Sequence, residues 1–451
     1  MHRVNAGFTM LVPLRPDRVT AARDLLVELD ADPARVPFAR SSTTHFATIT
    51  IIPAQTYRDE LLPATLLFAT SYCGPVRVHV AELVGVMGDG LREVLAHCKD
   101  FDADCSDEEL EGFLLDHRHG STFYSGMQHL GPEDVRRHRQ LRDAIEAFVD
   151  ERQANGGLAG TAIAVRREIQ DHVRSRPELA WSQESFAPTL GAKLVYLWRS
   201  LVLEAFAIVL VACTALWLFT GGTALGIAVA CGWIAVAVFV VFAISMVISI
   251  REAEDQQTYQ SPRPSDERAR TLDATQTRPV INEFTLAGPI KEEGDLRPVF
   301  LRLSLWIIGR VAEGVPGIPY FASGISIPTV ATARWIAADR GRRLMFISNY
   351  TNAGEAYVRD FIETRAGAMR INLSFGFGRG YPKTEWIVGR GALDDPNGYL
   401  HALAENQIPT LFWYGPYRDI SIDNIKRNRK LREGLFADFD EPQARAWLHL
   451  L

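Results

Sequence analysis

Residues 8–15 read FTMLVPLR and residues 284–291 read FTLAGPIK, with Phe, Thr and Pro at matching places and a base at each end. Three more pairs follow in the same order. TTHFATIT from Thr43 parallels TVATARWI from Thr329, and LLFATSY from Leu66 parallels LMFISNY from Leu344. FYSGMQHLGPEDVRRHRQLRDAI from Phe123 parallels WYGPYRDISIDNIKRNRKLREGL from Trp413. One such pair arises readily by chance; four in colinear order indicate a duplication, the signal to seek before any motif.

Each copy predicts the same pattern. In the first, a strand at 8–12 leads to a helix at 17–29, strands at 45–52 and 65–71, a helix from Val76, a strand at 122–126 and a helix from Pro132. Pro132 suits a first helical turn, and Glu133 and Asp134 suit its positive end. Strand–helix–strand taken twice is the ferredoxin-like split βαβ arrangement. The expected fold is therefore α+β: two ferredoxin-like repeats forming a pseudo-dimeric sheet or barrel, separated by a two-helix transmembrane hairpin.

That hairpin comes from composition. Of 451 residues 47% are hydrophobic, and no charge occurs between Ala205 and Ile250. Gly221, Gly222 and Thr223 divide the block into 200–220 and 224–250, each long enough to cross a hydrocarbon core of about 30 Å. Arg174, Arg176, Lys193 and Arg199 precede it, and Arg251, Arg263, Arg268 and Arg270 follow it. The positive-inside bias then predicts an inner (plasma) membrane protein with two spans and both termini cytoplasmic. The expected divisions are 1–150, first repeat; 151–193, amphipathic helix and connector; 194–250, hairpin; 251–279, disordered linker; 280–437, second repeat; and 438–451, C-terminal helix. The apolar segment 296–311 is too short and too charged to span, and either rests on the bilayer or is buried under the paired domain.

Charge excludes one class of partner. Lys and Arg number 48 against 54 Asp and Glu, a net −6, which does not suit a protein that neutralises many nucleic-acid phosphates. Five cysteines without a CxxC, two of them (Cys213 and Cys231) in the apolar block, suit reduced thiols. Cys98, Cys105, His117 and His119 are soft ligands close in sequence, but their spacing is not that of a zinc ribbon or finger. No metal is predicted.

No nucleophile elbow, HExxH helix or phosphate loop occurs. His45 invites a catalytic role, yet alternation places it with Ala47, Ile49 and Ile51 on an apolar face, where a satisfied buried histidine is the simpler account. Tyr124 and Tyr414, at matching places in the two copies, are the other catalytic candidates. Strand alternation gathers Thr44, Phe46, Thr48 and Thr50 on one face and Arg334 on the equivalent face of the second copy. Arg334 would be a fixed charge lining the space between repeats, paired by an internal acid or by the carboxylate or phosphate of a ligand. Thr48, Asn349, Tyr350 and Tyr72 complete the expected ligand-binding set.

The THFA-type strand, the L-[LM]-F-x-[ST]-x-Y strand and the FY/WY…R-x-LR ending resemble those of a bacterial membrane-anchored family with duplicated ferredoxin-like modules, itself without an assigned activity. The likeness covers residues 3–150 and 278–435. At fold level the paired modules are similar to dimeric α+β barrel proteins, which include haem peroxidases. Haem is the one cofactor the analogy admits, but the GxxDG pattern is absent: residues 85–90 read GVMGDG. Three functions stay open. The first is a membrane-anchored module binding an apolar or amphipathic, anionic lipid-like molecule in the inter-repeat groove. The second is an oxidoreductase of the barrel type acting on such a molecule. The third is a membrane scaffold for a protein partner. Homo-oligomerisation is compatible with each.

Overall fold

The computed structural model describes the chain apart from residues 1–3, 158–159, 185–189, 192–193, 195–210, 213, 215–223, 277, 313–328, 352–353 and 418. The first half carries strands β1 (Asn5–Pro13), β2 (Thr44–Ile52), β3 (Thr65–Cys73) and β4 (Thr122–Ser125). Its helices are α1 (Val19–Ala31), α2 (Val76–Leu95), α3 (Asp107–Asp116), α4 (Pro132–Ala154) and α5 (Ala162–Arg174). Then come α6 (Ala224–Glu254) and α7 (Asp266–Ala274). The second half has β5 (Ile281–Pro289), α8 (Arg297–Ala312), β6 (Val330–Ala338), β7 (Arg343–Thr351), α9 (Gly354–Asp360) and α10 (Arg365–Phe375). It ends with α11 (Pro396–Asn406), β8 (Gln407–Ile408), β9 (Phe412–Tyr414), α12 (Ile422–Gly434) and α13 (Glu441–Leu448).

The two halves use one register. Phe8 faces Thr70 across β1 and β3, and Phe284 faces Ser348 across β5 and β7. The pairing of β2 with β3 shifts between Thr44 and Phe46, and that of β6 with β7 between Val330 and Thr332, at corresponding places. The faces divide as alternation requires. Ala47, Ile49 and Ile51 join residues of α1 and α2 in one core, while Ile52, Leu67 and Ala69 meet Ile336, Met345 and Ile347 between the sheets.

The expected pair of ferredoxin-like repeats is not what forms. In each half the fourth strand leaves its own sheet. The first sheet runs β1-β3-β2-β9 and the second β8-β5-β7-β6-β4. Trp413 of β9 faces Thr48 of β2, and Phe123 of β4 faces Arg334 of β6. Each half thus closes the other's open β2-type edge, which removes an unpaired row of backbone donors and acceptors. Sequence periodicity states that a strand exists and which face is apolar; it does not state which edge receives it.

The membrane prediction is corrected as well. Among the described residues one helix, Cys231–Glu254, is long and apolar enough to cross a membrane, and its most apolar stretch is not buried in the protein. The proposed span 200–220 lies outside the described residues apart from positions 211, 212 and 214. A two-span hairpin is not supported, and an inner-membrane placement with both termini cytoplasmic, which followed from an even number of spans, loses its basis. The physical reason is that a charge-free run measures apolar length, whereas the number of crossings depends on where the helices break.

Two further segments take up definite packing. Segment 251–279, expected as a disordered linker, buries Arg251, Asp255, Ser261 and Leu272 and contains α7. Helix α5 buries Ile169 and Val173 against Leu431, Leu435 and Trp447 of the other half, so its apolar face is covered by protein.

The exchange makes a prediction. Fragment 1–184 lacks β9 and fragment 255–451 lacks β4, so each alone should unfold in urea without a cooperative transition, and mixing them should restore one. Phe412 alone, fully buried in the first-half core, contributes about 1.5–3 kcal/mol. Cooperative unfolding of either fragment at the stability of the whole chain would contradict the exchange.

Candidate functional site

Arg334 is 3% exposed and reaches from the second sheet into the first. Its Nη1 donates to the carbonyl of Phe8 at 2.6 Å and to Thr9 Oγ1 at 3.2 Å. Its Nη2 donates to the carbonyl of Thr70 at 2.8 Å and to Ser71 Oγ at 2.7 Å. The guanidinium carbon stands 5.4 Å from the centre of the Phe123 ring. Gly7 makes the room, since a Cβ there would lie 2.8 Å from Phe123 and 3.4 Å from the guanidinium carbon. Burial lowers the Arg334 pKa to about 10, opposed by Tyr72 and Glu283, so the group stays charged at neutral pH. Its hydrogen-bond partners in the protein are main-chain carbonyls and hydroxyls, not an internal acid.

Duplication sets an acid at the corresponding place. Glu283 of β5 stands where Gly7 stands in β1, and Thr48 stands where Arg334 does. Glu283 accepts from Thr48 Oγ1 at 3.4 Å and also from the hydroxyls of Thr285 and Thr410. Burial raises its pKa, against the pull of those three hydroxyls and of Arg278. A polar chain continues from Arg334. Ser71 Oγ donates to Thr332 Oγ1 at 3.2 Å, Asn349 Nδ2 donates to the same oxygen at 3.0 Å, and Trp413 Nε1 donates to Asn349 Oδ1 at 2.8 Å.

Arg334, Thr48 and Asn349 are thus gathered between the sheets, whereas Tyr72 and Tyr350 point to the helix sides. Tyr72 stacks on His79 at 4.1 Å, and Tyr350 stacks on Tyr357 at 3.8 Å. His79 joins Thr43 Oγ1 and Thr70 Oγ1 through its two nitrogens, at 2.8 and 2.7 Å. His45 is buried and satisfied: Nδ1 accepts from Tyr417 Oη at 2.7 Å and Nε2 donates to the Leu130 carbonyl at 2.9 Å. Tyr124 and Tyr414 lie in different sheets and are not brought together. Cys98, Cys105, His117 and His119 do not converge, and no group of three metal-ligating side chains occurs among the described residues. His117 Nδ1 donates to Phe113 O, and His119 Nδ1 donates to Gly120 O.

The exchanged strand β9 also builds a cleft of about 680 Å³ between the halves. Pro33, Val36 and Phe38 line it from the first half, and Arg278, Ile281, Phe412, Trp413 and Tyr414 from the second. Phe38 stacks on Tyr414 at 5.6 Å and Phe46 stacks on Trp413 at 6.2 Å, which fixes these rings. The Arg278 guanidinium carbon stands 4.3 Å from the centre of the Trp413 ring. Asp30, the other charge in the lining, accepts from the Trp413 amide at 3.0 Å. Sequence reasoning missed Arg278, Phe38 and Trp413 as site residues, because they lie far apart in the chain; the only signal was Trp413 at the head of the fourth repeated block.

Two predictions follow from these buried groups. Replacing Arg334 by Met should cost on the order of 2–4 kcal/mol in urea unfolding, because buried carbonyls and hydroxyls lose their donor; an unchanged midpoint would show that the guanidinium does not join the sheets. Burial lowers the pKa of His45 to about 4 and that of His79 to about 3. Both rings stay neutral in the fold but take up a proton on unfolding below about pH 6.5. Their contribution is therefore full above about pH 6.5 and falls on acidification towards the folded values, by about 1.4 kcal/mol per pH unit for each ring. His45→Gln and His79→Gln should each remove one proton from the slope of stability against pH; identical slopes would refute the assignment.

Comparison of the chain with protein-family models, curated proteins and solved structures finds no match.

Proposed function

We propose that the chain binds an amphipathic small molecule with an aromatic or apolar body and one anionic group, held in the cleft beside β9. The carrying observation is Arg278 stacked on Trp413 at the wall of an aromatic cleft of about 680 Å³, a size within the roughly 300–1,000 Å³ of small-molecule sites. An arginine stacked on an indole keeps its charge and has its planar donors oriented for a carboxylate or phosphate. No carboxylate lies within ion-pair distance of Arg278 among the described residues, whereas Asp30 is engaged by the Trp413 amide.

The lining favours binding over turnover. Its described residues include no Ser, Cys, Lys or His, and of its titratable groups Asp30 is engaged by the Trp413 amide while Tyr414 stacks on Phe38. The space between the sheets is occupied by the Arg334 and Glu283 networks and by the apolar cluster around Ile336 and Met345.

Calorimetric titration of the full chain, in maltoside micelles, with naphthalene-2-carboxylate and with the neutral 2-naphthylmethanol tests this. Arg278→Ala should weaken the carboxylate about tenfold, equivalent to about 1.4 kcal/mol, and leave the alcohol unchanged; Trp413→Ala should weaken both. Equal carboxylate affinity in wild type and Arg278→Ala would refute the proposal, as would no heat beyond that of empty micelles.

A further inference from the structure

At the end of the exposed apolar helix the chain buries more positive charge than it neutralises. Arg251 is 2% exposed and Arg297 0%, and both lie with the buried Lys291 about the single buried carboxylate of Asp255. Lys291 Nζ stands 2.8 Å from Asp255 Oδ2, and Arg297 Nη1 stands 3.9 Å from the same oxygen. The Arg251 guanidinium covers the Phe377 ring at 4.6 Å and spends one donor on Thr384 Oγ1. Arg297 spends Nε on the Glu293 carbonyl. Among the described residues four buried donors then have no hydrogen-bond partner: Nη1 and Nη2 of Arg297, and Nε and Nη1 of Arg251.

Glu252 and Glu293 act on Arg251 and Arg297 through space, but among the described residues no neighbouring acid hydrogen-bonds the unmet donors. Glu252 accepts from the Ile387 amide, and Glu293 accepts from Thr258. Glu292 stands 3.9 Å from Arg379. Glu254 packs Oε2 against Gly294 and leaves that oxygen without a partner. Three cations about one carboxylate, with guanidinium donors unmet, is a costly arrangement unless an anion completes it.

We propose that Arg251, Lys291 and Arg297 form a binding site for a phosphate-type oxyanion. Two planar forks and an ammonium group match the several acceptor oxygens and the charge of such a group better than they match one further carboxylate. A cavity of about 200 Å³ reaches Lys291, the one of the three bases that lines it; Thr258, Tyr259, Arg379 and Gly380 line it too, together with Glu292 and Glu293 at its acidic side. Burial lowers the Lys291 pKa to about 8, with Asp255 opposing and Arg297 and Arg251 adding to the fall, so a bound anion would return it towards its ordinary value. The phosphate has two sources. It can be free in solution, or it can be a phospholipid headgroup, since Leu296 and, on α8, Val299, Leu303 and Trp306 leave an exposed apolar stripe beside Arg297.

The test is the thermal unfolding midpoint of the full chain in maltoside micelles. Inorganic phosphate should raise it as the logarithm of concentration, whereas chloride at equal ionic strength should not. Phosphatidic acid against diacylglycerol in the micelles separates the sources: a shift with inorganic phosphate marks a free anion, and a shift with phosphatidic acid alone marks a lipid. Arg297→Gln should weaken the effective ligand at least about tenfold, since it removes a charge-assisted fork. Should that variant fail to fold, Arg251→Gln serves in its place, and the wild-type dependence stands by itself. No shift with either phosphate source would overturn the site, as would a folded Arg297→Gln that keeps the wild-type response.

Discussion

A guanidinium held between two sheets fixes both of them. Arg334 belongs to β6, yet its four hydrogen bonds all end on β1 and β3. A buried charge of this kind is tolerated only while each partner stays within hydrogen-bond reach. The two sheets therefore cannot slide past one another without leaving the charge unsolvated. Gly7 gives way to the guanidinium on one side, and at the duplicated place Glu283 and Thr48 fill the corresponding space on the other. The halves have diverged in a complementary sense: a large base against glycine in one place, an acid against a small hydroxyl in the other.

Strand exchange works with this polar contact. Phe123 lies opposite Arg334 in the ladder and under its guanidinium, so the strand donated by the first half also shields the charge that joins the sheets. Trp413, donated by the second half, caps the other end of the chain through Asn349 and Thr332. Its indole has its other role outside, where it stacks with Phe46 and carries Arg278. One residue thereby couples the inter-sheet network to the wall of the cleft, and a ligand seated against that wall would press on the same ring that orients Asn349.

The cleft and the cationic cluster have different physical characters. The cleft is open and aromatic, with one stacked base, and suits a ligand that arrives by losing apolar surface to water. The cluster around Asp255 is closed and strongly charged, and its stability depends on how its donors are met. They lie in different parts of the fold, the first on the exchanged strand and the second where α6 joins the body.

Several features were legible in the sequence. Colinear repeats named the corresponding strands, and period-2 alternation separated the Thr-rich face of β2 from the face that carries the helices. The apolar face containing His45 marked that ring as a buried, satisfied one. Arg334 was recognisable as a charge facing the inter-sheet space, but its partners were not, because main-chain carbonyls leave no trace in residue type. The same limit hid the exchange of β4 and β9. A short alternating strand pairs equally well with any open antiparallel edge, and the choice is made by aromatic packing of Phe412 on Phe38 and by Phe123 over Arg334. Arg278, Phe38 and Trp413 meet only once that choice is made, so the cleft was decided by tertiary structure alone. So was the gathering of Arg251, Lys291 and Arg297, residues that are ordinary surface bases in composition and become a site only through shared burial.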